Sequence, residues 1–276
     1  MTRYLKLVNL EIRRFFSLYL VLMGVVAGIQ LFGVIYDAKQ YLGWIREEVF
    51  KGNMKIDEFL QYYGHISLSD MNTSFWMTSS IMIAVAALLI YTFFIWYRDW
   101  YGKNPFIYRL LTLPASRMNL FFAKLTAILS FVFGMLSLQV LLMLLEKQII
   151  RWMIPEQFRI DLSIREAITG TYLQIFYPPS VSDFLLIYGL GTLLVFVFFT
   201  AILFERSYRL KGILMGIGFG VLSVFLYLSP IYINSLVLHG YFFTHEVFLL
   251  TLVSGLAVLI ACVGTSRYLL KRKIRV

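Results

Sequence analysis

The chain has 276 residues, of which 60% are hydrophobic, 17% aromatic and only 14% charged. Soluble domains carry about 25% charged residues, so the composition excludes an ordinary water-soluble globule. The net charge of +10 calls for no nucleic-acid partner, because the cations are confined to a few segments between long apolar runs.

In chain order, residues 1–15 come first. Leu5, Val8, Ile12 and Phe15 recur at three- and four-residue spacing, with Lys6, Arg13 and Arg14 elsewhere on the helix. This pattern predicts a short basic amphipathic helix at the inner membrane surface, serving as an anchor or as a contact for a partner. Six apolar runs follow, at residues 16–36, 75–97, 120–145, 184–204, 213–230 and 247–266. Each is near the roughly 20 residues needed to cross a ~30 Å hydrocarbon layer. The first has too long an apolar core for a signal peptide and no small-residue cleavage site, so it is expected to remain as a span.

Lys and Arg set the orientation. They gather at the N-terminus (Arg3, Lys6, Arg13, Arg14), after span two (Arg98, Lys103, Arg109, Arg117), after span four (Arg206, Arg209, Lys211) and in the tail (Arg267, Lys271, Arg272, Lys273, Arg275). The expectation is an all-α polytopic protein with both termini cytoplasmic. Of the segments on the other side, residues 37–74 contain AKQYLGWIREEVF, which is expected to lie along the outer interface with Trp44 near the headgroups. Asn72-Thr73-Ser74 matches a glycosylation sequon, a weak pattern on its own. The stretch between spans five and six, LSPIYINSLVLHGYFFTHE, has no cation and is too apolar for a free aqueous loop. It reads as a re-entrant hairpin, or as an extension of both spans with a turn near His239-Gly240.

Much catalytic chemistry is missing. No apolar run contains Asp or Glu, which weighs against a proton- or sodium-driven carrier. There is no HExxH pair, no nucleophile–base arrangement and no GxxxxGK[ST] loop. The chain is therefore not expected to be an enzyme, to bind a metal, or to hydrolyse nucleotide by itself. Cys262 is the sole cysteine, which rules out an internal disulfide. Lys124 is the one charge inside an apolar run, and its place near the end of span three predicts snorkelling to the headgroups. Gly24 and Gly28 in span one, and Gly212, Gly216 and Gly220 in span five, have the four-residue spacing that lets helices approach closely. They are candidates for packing within the chain or for a subunit interface.

The cytoplasmic stretch after span two has its own punctuation. Asn104-Pro105 is a helix start, Phe106, Leu110 and Leu113 share one face flanked by Ile107 and Leu111, and Pro114 ends the helix. Two apolar turns are too short to be stable alone in water, so this helix must dock on lipid or protein. Leu113-Pro114-Ala115-Ser116-Arg117 followed by Ala123-Lys124-Leu125 resembles the lPxsR…aKl signature of type-2 ABC transporter permeases. The layout of six spans behind an amphipathic helix is similar too. The resemblance implies a single permease domain over residues 1–276, in a bacterial plasma membrane. It implies a coupling helix whose face Phe106, Ile107, Leu110 and Leu113, rimmed by Arg109 and Arg117, docks on a separate cytosolic ATPase. It also implies a second permease subunit, with spans one and five near the dimer axis. ATP and Mg would belong to the partner, and no cofactor to this chain. The substrate implied is an antimicrobial peptide or another amphipathic or lipid-like molecule. The alternatives are a six-span sensor or immunity protein without transport, and a secondary carrier.

Overall fold

The computed structural model describes residues 3–101 and 116–273. The segment 102–115, with Phe106, Ile107, Arg109, Leu110 and Leu113 of the expected docking face, lies outside the described residues. Six helices are long and apolar enough to cross a membrane. The helices are α1 (Arg3–Trp44), α2 (Ile56–Tyr63), α3 (Leu68–Asn72), α4 (Phe75–Trp100), α5 (Arg117–Met153), α6 (Ile164–Ile168), α7 (Val181–Tyr208), α8 (Leu210–Tyr232) and α9 (Thr244–Tyr268). All six apolar runs fall inside α1, α4, α5, α7, α8 and α9. The N-terminal segment corrects the expectation of a separate surface helix. It is the first four turns of α1, unbroken from Arg3 to Trp44. The face it buries includes Leu7, Val8, Glu11 and Phe15, whereas Leu5 of the expected stripe is exposed.

The described helices form two compact units, one from Met1–Arg14, Leu89–Leu129 and Ser180–Val276, the other from Phe15–Leu88 and Ser130–Pro179. In the first, α7 and α8 reverse direction in one residue, Arg209, at φ 56°. Glycine makes this close pairing feasible. A Cβ on Gly212 would lie 2.1 Å from the Phe204 carbonyl oxygen, and one on Gly216 3.0 Å from that of Ala201. Gly220 faces Val197 one step further on. Beyond α8 the helix continues as a π-turn, Ile233–Val237, and the chain turns over residues 238–243, with His239 and Gly240 at positive φ, before α9 begins. The segment expected as a hairpin is thus two helix ends and a six-residue turn.

The second unit holds residues 15–44 of α1, 75–88 of α4 and 130–153 of α5. Gln30 Nε2 donates to Ser80 Oγ and to Gln139 Oε1, both at 2.8 Å, tying the three helices at a buried point. Such bonds are specific ties where apolar contact alone offers little drive for association. The two long connections, residues 45–74 and 154–179, fold into a small cap. Ile66-Ser67 (β1) and Arg159-Ile160 (β2) pair in parallel. Tyr41, Ile45, Phe59, Met71, Ile154, Phe158 and Ala167 form its core. Here too an expectation is corrected. The stretch after Asp37 does not lie flat as an interfacial helix; α1 runs straight into a π-turn (Ile45–Lys51), and its Tyr41 and Ile45 face the cap core. Asn72 is fully buried, with Nδ2 donating to the Ala167 carbonyl at 2.9 Å, so the sequon's side chain has no room for a glycan in the folded state. On the cap surface, burial draws the Asp161 carboxyl upward, but Arg151 and Arg159, each 3.3 Å away, outweigh this and hold it below the ordinary carboxylate range.

Candidate functional site

The densest charge chemistry lies in the first unit, where the start of α1, the end of α4 and the start of α5 meet. Helical periodicity places Glu11 and Arg14 one turn apart on α1, and Ile95, Arg98 and Asp99 within one turn on α4. Lys124 stands two turns into α5. Glu11, Asp99 and Lys124 are all 0% exposed. Lys124 Nζ donates to Glu11 Oε1 at 2.9 Å, to the Ile95 carbonyl at 2.8 Å, and to Asp99 Oδ2. An ammonium has three protons, and all three are used. The second oxygen of each carboxylate takes an arginine: Arg98 on Glu11 Oε2 and Arg14 on Asp99 Oδ1, each at 2.7 Å. Trp96 lies beneath the ammonium, 5.3 Å from nitrogen to ring centroid.

This corrects the reading of Lys124 as a snorkelling side chain. Snorkelling needs an open path to the headgroups, and the ammonium instead ends in a closed cage of three helices. Its counter-charges come from residues more than 20 positions away, so periodicity could not reveal them. Glu11 offered a signal in hindsight. It falls on the same face as Val8 and Phe15, where an amphipathic helix should be apolar, and an acid on an apolar face implies a buried cation.

The network brackets the segment 102–115. Asp99 is the last residue but one of α4, and Lys124 belongs to the second turn of α5. The end of α4 and the start of α5, which flank that segment in sequence, are therefore both tied to the start of α1: Asp99 to Arg14, and Arg98 and Lys124 to Glu11. Arg117 is within the described residues and donates to the Leu270 carbonyl, joining the start of α5 to the C-terminal π-turn. The end of α7 joins as well, where the Tyr97 hydroxyl donates to Glu205 and the Arg206 guanidinium lies 4.6 Å from the Tyr97 ring centroid.

A separate titratable group stands in the second unit. Glu146, on α5, is 0% exposed and neither carboxyl oxygen has a hydrogen-bond partner among the described residues. The apolar run in the sequence stops one residue short of it, whereas α5 continues to Met153. Glu11 on α1 and Asp99 on α4 are likewise buried, just outside the carboxylate-free apolar runs 16–36 and 75–97. Among the described residues, no three His, Cys, Asp or Glu side chains converge as a metal site requires. Gly24 and Gly28 have no atom of the described residues within 4 Å of where a Cβ would stand, so their side of α1 is open among the described residues. No protein-family model, curated protein or solved structure matches the chain.

Proposed function

We propose that the chain is the membrane-spanning subunit of an ATP-driven exporter, with the segment 102–115 as its contact for a separate cytosolic ATPase. The observation that carries the reading is the caged Lys124 network. A short apolar helix that receives force from a partner must pass it to the spans, and a flexible tether would dissipate it. Here both flanks of that segment are clamped to α1 by buried, fully hydrogen-bonded charges, so a push on it moves three helices together. The resemblance of residues 113–125 to type-2 ABC permeases points the same way, as does the Lys and Arg bias that puts this end of the helices in the cytoplasm.

In this reading Phe106, Ile107, Leu110 and Leu113 fill a groove on the ATPase, with Arg109 and Arg117 at its rim. Burying each apolar side chain contributes about 1.5–3 kcal/mol as an upper estimate. ATP and Mg act in the partner. A second permease, identical or homologous, packs against the open Gly24–Gly28 face. Between α7, α8 and α9 lies a cavity of about 690 Å³, walled by Leu186, Leu190, Tyr227, Ile231 and Phe248 and with Asp183, Asn234 and His245 among its polar lining. An apolar wall with a few polar groups suits an amphipathic substrate, and the 238–243 turn beside it serves as an outer gate.

The test is gentle purification from native membranes. A nucleotide-binding subunit with a Walker lysine is expected to co-purify, and Leu110→Asp is expected to abolish that association while the chain still inserts. Recovery of the wild-type chain alone, reproducibly, overturns the exporter reading. The folded cap favours one competitor, a six-span protein that binds a ligand outside without transport. Glu146 favours another, a proton-coupled carrier. Neither has an ATPase to co-purify.

A further inference from the structure

The cap contains a cleft whose chemistry is unlike the rest of the outer surface. It has a volume of about 500 Å³, and its lining combines two carboxylates, Asp37 and Asp70, with the imidazole of His65 and the rings of Tyr41, Trp44 and Tyr63. No lysine or arginine lines it. Helical spacing puts Asp37, Tyr41 and Trp44 on one face of α1, and the chain reversal after α2 brings Tyr63 and His65 opposite. Trp44 and Tyr63 stack with ring centroids 5.6 Å apart and planes at 29°, and Tyr41 meets Trp44 edge-on at 6.3 Å. The Tyr41 hydroxyl is fixed by donating to the Gly64 carbonyl at 2.7 Å.

The carboxylates are not equivalent. Asp70 Oδ2 accepts from Ser67 N and Ser67 Oγ, at 2.8 and 2.6 Å, and so caps α3. Asp37 is half-buried; its Oδ2 is closed to solvent and the Ser74 side chain hydrogen-bonds its carboxylate. With no lysine or arginine in the lining, the negative charge of the two carboxylates has no compensating cation there. The donor arrangement does not suit a metal ion, since no three ligating side chains converge. The volume lies within the range of small-molecule sites, and aromatic faces beside carboxylates recognise organic cations through ring quadrupole and charge together.

We propose that this cleft binds a substituted ammonium ion, its cationic head between the Trp44 and Tyr63 rings and Asp37, and its substituent in the remaining volume. The site stands independently of the transport reading.

The test is calorimetric titration of the full chain in nanodiscs of phosphatidylethanolamine and phosphatidylglycerol, lipids without a quaternary ammonium head. The probes are choline, its uncharged isostere dimethylbutanol, and benzyltrimethylammonium. Choline is expected to bind saturably, dimethylbutanol at least roughly tenfold more weakly, and benzyltrimethylammonium more tightly than choline. Asp37→Asn and Trp44→Ala are each expected to weaken both cations about tenfold or more. Glu47→Gln, an exposed acid of the same cap outside the cleft, is expected to leave them unchanged. Thermal melting of each variant separates loss of binding from loss of the cap. Equal binding of dimethylbutanol, unchanged binding in a folded Asp37→Asn variant, or no saturable binding of either cation overturns the proposal.

Discussion

Replacing Lys124 by methionine removes the central cation of a closed network while keeping much of the side-chain volume. In the wild type the ammonium supplies one bond to each buried carboxylate and one to the Ile95 carbonyl. The variant leaves Glu11 Oε1 and Asp99 Oδ2 unpaired in a fully buried setting. Breaking a buried ion pair costs about 3–5 kcal/mol, since the stranded charge has lost its solvent as well as its partner. Each carboxylate keeps one arginine, and those arginines are partly exposed, which places the expected loss near the lower end, about 3 kcal/mol. The assay is reversible unfolding in mixed micelles against Lys6→Met, an exposed lysine on α1, where a change under about 0.5 kcal/mol is expected. A lysine that snorkelled would be replaced by methionine at little cost. If Lys124→Met is no less stable than Lys6→Met, the cage is refuted, and with it the mechanical argument for segment 102–115.

Three further outcomes are expected. Phe59→Ala removes a fully buried ring from the cap core and should cost about 3–5 kcal/mol, read as rapid proteolysis within residues 45–74 while membrane insertion persists. Gly212→Ala forces a Cβ to within 2.1 Å of a backbone oxygen. Backbone cannot rotate away as a side chain can, so a loss of about 1–3 kcal/mol is expected, whereas Gly28→Ala, in open space within the chain, should not lower the melting temperature of the monomeric subunit. Asp161 has a carboxyl held below its usual value of 3.8 by two arginines, so its pairing supports the folded state above that pH and is lost as pH falls through the lowered value. Asp161→Asn should therefore lower stability at neutral pH, by under about 1 kcal/mol because the pair is solvent-screened. The difference should vanish well below pH 3.8, as measured by melting across a pH series.

How much of this was legible in the sequence differs by level. The six spans could be read because a bilayer imposes a length of apolar residues that few other environments demand, and the runs at 75–97 and 247–266 lie inside α4 and α9 with only small extensions. The reading failed at Lys124, whose charge is tolerated because of what lies across from it in space, Glu11 and Asp99. Hydropathy scores a residue against water or lipid and has no term for a partner on another helix. The cap was missed for a similar reason. Its core draws Ile45 and Phe59 from one connection and Phe158 and Ala167 from another roughly a hundred residues away, and neither segment shows a continuous apolar pattern by itself.

Local sequence thus determined what must be helical and apolar, since backbone hydrogen bonds in lipid have to be satisfied within each segment. Tertiary structure decided which charges are buried and with whom, because the cost of burying a charge depends on the partners that the fold brings to it. It decided likewise that the Gly212 stripe packs on α7 while Gly24 and Gly28 have no close neighbour among the described residues, a distinction that the same four-residue spacing cannot express.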